Sequence, residues 1–267
     1  MNRFTTTTAA VLIILVLAMM PAAGQPATDP AGGNNGPQNS SAAKKAPGGP
    51  APRLADGKPD FSGVWGSDRH FIYDISEALK KGETLPMQSW ALKTAKERLS
   101  KDDPEANCLP TGVPRLAPYP WSIVQNGKRI FILFEGNIHS YRQVFMDGRK
   151  HSEDPNPTWY GESIGRYEGD TLVIDTIGFN DKFWFDFAGH PHTEKLHTIE
   201  RYRRPDLGHL EWETTVDDPG AYTKPFTLYG HSTLQTDTDL MEYICQENNQ
   251  DVTHILGKDS HNSLSKQ

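Results

Sequence analysis

From Asp60 onward, short apolar or aromatic runs alternate with clusters of turn residues, and most of the runs have strand length. "FSGVWG" (61–66) comes first, followed by the one helical stretch, "PMQSWALKTAKERLSK" (86–101), with Pro86 near its start. The Pro-rich connection "CLPTGVPRLAPYP" (108–120) leads to "WSIVQ" and "RIFILFEG", with Asn126-Gly127 between them. Asn-Gly between two such runs is a strong hairpin signal, because both residues tolerate the left-handed backbone of a two-residue turn. The pattern continues with "IHSYRQVFM", closed by Asp147-Gly148, then "ESIGRYE", Gly169-Asp170 and "TLVIDTIGF". After a polar stretch come "LHTIERYRR", "HLEWETTV", "FTLYGHSTL" and "LMEYICQE" (240–247). Nine or ten strands joined mostly by hairpins, with one helix on the N-terminal side, predict an all-β protein. The expected architecture is an antiparallel up-and-down β-barrel.

The ends of the chain differ from this core. "MNRFTTTTAAVLIILVLAMMPAAGQPA" has a basic start at Arg3, a short apolar run, and Ala22 and Gly24 at positions suited to a cut before Gln25. That is the plan of a secretory signal peptide (1–24), and the run is shorter than the ~20 residues of a membrane span. Residues 25–53 are rich in Pro, Gly, Asn and Ser and poor in large apolar side chains. Such a segment buries too little surface to offset its ordering entropy, so it reads as a disordered linker. Residues 54–267 then form a single barrel domain, in a periplasmic or secreted protein with no integral membrane span after cleavage.

Charge and cysteine content narrow the picture further. The net charge of −7 becomes −8 when Arg3 leaves with the leader, and "RYRR" is the only basic run, which argues against nucleic acid as a partner. The chain has two cysteines, Cys108 and Cys245. In an oxidising compartment such a pair usually closes into a disulfide, here expected to join the segment after the helix to the last strand, with two buried free thiols as the alternative.

The candidate chemistry centres on "GHPHTEKLHTIERYRR" (189–204). His190, His192 and His197 are a candidate ligand set for a divalent metal such as zinc. On an extended chain 190, 192 and 194 share a side and 197 faces away, so a bend near Lys195 is required. The His-x-His spacing is similar to the cupin metal motif, but the positions where a cupin carries its glutamate hold Leu196 and His197. Without metal, His192, Glu194, His197 and Glu200 are candidate acid–base groups, with Asp181 and Asp186 near enough to orient an imidazole and His139 or His231 as further candidates at the same mouth. Glu200, if inward, needs a cationic or hydrogen-bonding partner. Trp159, Trp184, His190, His192 and Arg201 are candidate ligand contacts at a pocket mouth. The rings of "GFNDKFWFDFAG" fit either a pocket wall or a folded-back plug, and the histidine-rich stretch itself fits a solvated rim loop. "GESIG" matches a nucleophile-elbow pattern but lacks the strand-to-helix context for Ser163 to act. Glu211 and Glu213 alternate with the inward set of "HLEWETTV" and read as a solvent face. The acidic turns "VDDPG" and "QTDTD" read as turns.

Two resemblances carry further expectations. "DFSGVWG" resembles the Gly-x-Trp opening of lipocalin-type (calycin) barrels, which implies that Trp65 closes the barrel floor. Over most of its folded length the chain also resembles a family of exported bacterial proteins with no assigned activity. The strings that carry this are "DGKPDFSGVW", "YRQVFMDGR", "WYGESIGRYEGDTLVIDTIGFND" and "HPHTEKLHTIERYRR"; the resemblance implies export and no particular reaction. Three functions follow: a small-molecule-binding barrel; a hydrolase, lyase or isomerase using His and Glu/Asp with or without a metal; and a non-catalytic structural or interaction protein.

Overall fold

A computed structural model describes residues 46–67, 70–115, 120–136, 141–245 and 247. The leader, residues 25–45 of the linker, His139 and residues 248–267 lie outside the described residues.

Nine strands close into one barrel in sequence order: β1 (Gly63–Ser67), β2 (Trp121–Asn126), β3 (Arg129–Phe134), β4 (Tyr141–Phe145), β5 (Glu162–Glu168), β6 (Thr171–Ile177), β7 (His197–Arg203), β8 (His209–Asp217) and β9 (Phe226–Gln235). β9 returns to β1 with Trp65 opposite Leu234. The turn chemistry does what its residues permit. Asn126 accepts hydrogen bonds from the backbone of Lys128 and Arg129, at 3.0 and 2.9 Å, and so folds β2 onto β3. Glu168 faces Thr171, which leaves Gly169 and Asp170 as the turn; Gly169 takes φ 60°, a conformation that disfavours a side chain.

The barrel differs from the sequence expectation in four places. The β4–β5 pair is parallel, with Val144 opposite Ser163 and Phe145 opposite Ile164. Asp147-Gly148 therefore opens a long crossover rather than closing a hairpin, since parallel neighbours cannot be joined by a tight turn. The stretch 240–245 is not a strand; it is a tail after β9, held by a bond from Met241 N–H to Glu135 and by the Cys108–Cys245 disulfide. The bridge thus joins the helical segment to this tail. With the two cysteines 137 positions apart it contributes about 4–5 kcal/mol in the chain-entropy model. The helix is shorter than expected, α2 (Ser89–Glu97), and follows the single-turn α1 (His70–Tyr73). Finally, residues 46–53 of the expected linker run along the barrel: Leu207 N–H bonds to Gly49 O, and Arg53 forks onto Asp170 at 2.8 and 2.7 Å.

The interior is layered. Along β6, β7 and β8, one apolar cluster (with Ile174, Tyr202 and Leu210) gives way to polar side chains and then to a second apolar cluster (with Leu196, Val216 and Phe179). The first cluster includes Trp65 of β1. Trp65 is fully buried, donates its indole N–H to Phe61 O at 3.1 Å, and lies under the Arg204 guanidinium. Between the clusters sits a belt built on Arg142 and Glu200, each with a side chain 1% exposed. Arg142 donates twice to Glu200 at 3.0 and 2.5 Å, once to Ser163 Oγ at 3.1 Å and once to Thr176 Oγ1 at 2.8 Å. Glu200 also accepts from Tyr202 OH at 2.8 Å. Neither charge is left alone, which is the condition for burying it.

This belt makes a testable prediction. Arg142→Met or Glu200→Leu alone strands the other charge and costs roughly 3–5 kcal/mol. The double variant costs far less than the sum, a coupling of about 2 kcal/mol or more, read from urea unfolding of the four proteins.

Candidate functional site

The segment between β6 and β7, residues 178–196, folds back onto the end of the barrel and inserts its rings. Phe179, Phe183 and Phe185 are fully buried and Trp184 nearly so. Phe179, Phe183, Phe185, Tyr222 and Phe226 form a chain of ring contacts with centroids 4.8–6.2 Å apart. Gly112 admits Phe183: its φ is 68°, and a Cβ there would stand 2.4 Å from the ring. Of the two readings of these aromatics, the plug is the one observed.

Beyond the plug the chain turns sharply. Phe185 N–H bonds to His190 O at 3.0 Å and Gly189 N–H to Asp186 O at 3.2 Å, which brings His190 back over Asp186. The Asp186 carboxylate is fully buried and accepts three hydrogen bonds: from Ile75 N–H at 2.7 Å, from His190 N–H at 3.1 Å and from His190 Nδ1 at 2.5 Å. An imidazole donating from Nδ1 to a carboxylate is fixed in orientation and carries its lone pair at Nε2. His190 Nε2 is neither hydrogen-bonded nor among the sealed unpaired atoms. Asp74, which caps the turn Ile75–Ala78 through Ser76 N–H, completes the group. Ligand-type atoms of Asp74, Asp186 and His190 lie within 4.8 Å of one another, the one such group among the described residues. A zinc ion on His190 Nε2 would lie on the far side of the ring from Asp186, which would then act as the carboxylate that orients the ligating imidazole. Arg98 borders the group, donating to Gly189 O at 2.9 Å and lying over the Trp184 ring. Burial lowers the affinity of this guanidinium for its proton, and Asp103, Tyr222 and Asp186 oppose the shift.

The other residues expected at the site have different surroundings. His192 is wedged between Phe183 and Phe185, with ring centroids at 3.8 and 5.1 Å. Its Nδ1 donates weakly to Thr193 O at 3.3 Å and its Nε2 is buried with no partner. Burial pulls its pKa down to about 4. His197 opens β7 on the outer wall, with Nε2 2.8 Å from Asp175 Oδ1. His190, His192 and His197 therefore do not assemble one ligand set: one lies on a carboxylate, one among apolar rings, one outside. Glu194 is an exposed turn residue. Glu200 is inward and has its partner in Arg142, sealed within the belt and remote from solvent. Arg201 faces outward and pairs with Glu168 and Glu213, and Glu211 pairs with Arg203, so the two glutamates of β8 are a solvent face. Trp159 packs on the edge of the plug, Ser163 belongs to the belt, and His231 is exposed on β9.

Sequence reasoning missed Asp74 and Arg98, which come from distant segments, and also His151. The last lies on the outer wall between Glu162 and Asp175, at 3.0 and 3.1 Å. No family model matches the chain, and no curated protein or solved structure matches it either.

His192 sets a pH prediction. Its folded pKa lies below the ~6.5 of an unstructured histidine, so the unfolded chain takes up the proton first. Its neutral form favours folding above about pH 6.5, and that contribution is lost as pH falls towards 4, by up to about 3 kcal/mol. His192→Phe keeps the ring stack without a titrating nitrogen. Urea midpoints at about pH 7.5 and 4.5 should show the variant losing roughly 2–3 kcal/mol less than the parent over this interval.

Proposed function

We propose that the protein is an exported, small-molecule-binding β-barrel whose ligand is held at the barrel end by His190, which Asp186 orients, with Asp74 as the neighbouring carboxylate. The observation that carries this reading is the Asp186–His190 pair: a buried carboxylate orients an imidazole and leaves its other nitrogen open, with a second carboxylate, Asp74, in the same group. The belt and the plug occupy the bore, so the ligand belongs on the loop-built end rather than inside the barrel. The open imidazole nitrogen and the Asp74 carboxylate suit a ligand with a cationic or hydrogen-donating group, or a divalent ion such as zinc that a ligand then joins. Export rests on the leader read from residues 1–24, and the disulfide supports it. No helix among the described residues is long and apolar enough to cross a membrane. Membership of the exported bacterial family and kinship with lipocalin-type barrels form part of the same reading.

A second reading, a hydrolase, lyase or isomerase, draws on the same pair. A histidine whose tautomer is fixed by a carboxylate is suited to accept and return a proton. In that case His190 moves the proton and Asp186 orients it.

Zinc serves as the probe. Calorimetric titration of the protein, prepared without a histidine tag, is expected to give one site per chain, weakened tenfold or more in His190→Gln and Asp186→Asn and unchanged in His197→Gln. Equal uptake by the parent and by His190→Gln, or no uptake by the parent together with no change in its melting temperature across a panel of amines and divalent ions, would sink the assignment of the site.

A further inference from the structure

The parallel seam between β4 and β5 is bridged by residues 146–161, which form no helix and no strand beyond the bridge of Thr158 to Phe179. A crossover between parallel strands is usually a helix, which supports itself with its own hydrogen bonds. This strap is held by what it touches. At one end Arg149 lies over the Phe145 ring. At the other, Thr158 N–H bonds to Gly178 O at 2.9 Å and Asn180 N–H to Thr158 O at 2.8 Å, while Pro155 fills the space a side chain at Gly178 would need. The middle rests on Ser152 and His151. Ser152 donates to Glu162 from its backbone N–H at 2.8 Å and its hydroxyl at 2.6 Å. His151 sets Nδ1 3.0 Å from Glu162 Oε1 and Nε2 3.1 Å from Asp175 Oδ1.

Both partners of His151 are carboxylate oxygens. A neutral imidazole has one N–H, so one of its two contacts would set a lone pair against a carboxylate; the imidazolium donates at both nitrogens. The groups facing it are Glu162 from β5, Asp175 from β6, His197 from β7, and Arg149 from the strap, which acts on Glu162. Asp217 of β8 stands opposite His197 in the register. Although burial works against its charge, hydrogen bonds from Ser152 and His151 hold Glu162 below the usual carboxylate range. The acceptor therefore stays ionised where imidazoles titrate.

We propose that His151 is a pH-operated latch, which as the imidazolium pins the strap to β5 and β6 and on giving its proton to solvent releases the strap's middle. Release reaches the barrel end. Trp159 and Tyr160 pack on the plug, and Tyr160 also stacks on Phe134. Thr158 holds the start of the loop that carries His190. The inference stands on the wall cluster and is independent of what the His190 site binds.

Amide exchange across residues 147–157, followed by mass spectrometry and corrected for intrinsic rates, tests the latch on the full chain. In the parent, protection is expected to fall about tenfold or more between about pH 5.5 and pH 8.5. His151→Gln is expected to be weakly protected at both pH values, and His197→Gln to keep the pH dependence. Equal protection in the parent at both ends of the range, or an undiminished dependence in His151→Gln, overturns the proposal. Should His151→Gln fail to fold, nitrogen-15 spectra of the parent decide. Two protonated ring nitrogens on His151 while the strap is protected support the latch, and a single N–H in that state refutes it.

Discussion

The bidentate Arg142–Glu200 pair is the constraint on which the interior depends. It crosses the bore from β4 to β7 and recruits Ser163 of β5 and Thr176 of β6, so one guanidinium fixes the inward face of four strands. In a strand the side-chain period is two, and a slip of one residue would turn Arg142 or Glu200 to the outside and leave its partner's charge unpaired in the core. The apolar clusters on either side supply the driving force for burial. They tolerate rearrangement better than the belt does, because apolar contacts are not directional.

The belt matters most at the β4–β5 seam. Seven register pairs join β5 to β6, whereas two join β4 to β5. Side chains reinforce the weak seam from both sides: from inside by the Arg142 bond to Ser163, and from outside by the strap through His151, Ser152 and Glu162. The same shortage of backbone pairing makes this the place where loss of one proton can loosen the structure. From β5 to β9, antiparallel ladders of six to eight register pairs would absorb the loss of a single side-chain bond.

Much of the barrel was legible in the sequence because its information is local. The alternation in "HTIERYRR" and "HLEWETTV" and the Asn126-Gly127 and Gly169-Asp170 turns name strands and hairpins without reference to the rest of the chain. The parallel pair was not legible. Asp147-Gly148 has the same turn chemistry whether the chain closes a hairpin or enters a strap, and the difference lies in where β5 docks. "LMEYICQE" alternates like a strand, but β9 closes on β1, so the sheet leaves no adjacent edge for it to join. The demand that an inward Glu200 have a cationic partner follows from solvation alone; that the partner is Arg142, 58 residues away, does not. Asp186 was visible as an orienting carboxylate close in sequence to His190. The turn that brings Asp74 beside it was not: Ile75, whose N–H bonds to Asp186, lies 111 residues from it.

The three histidines of "GHPHTEKLH" show why spacing alone misreads such a stretch. Its residue types fit a metal set only if a bend near Lys195 brings His197 round; the chain does turn at 193–196, yet His197 lands on the outer wall beside Asp175. Each imidazole then takes the character of what it meets. Beside buried Asp186, His190 is oriented and polar. Between Phe183 and Phe185, His192 is an aromatic ring with a suppressed charge. On the wall, His197 shares Asp175 with His151. Burial costs an ion far more than it costs a ring, so only the histidine with a carboxylate in reach and a nitrogen left open combines enclosure with chemistry. That selects His190 and places the candidate site at the end of the barrel, since Arg142 and Glu200, the charges described inside the bore, already satisfy each other.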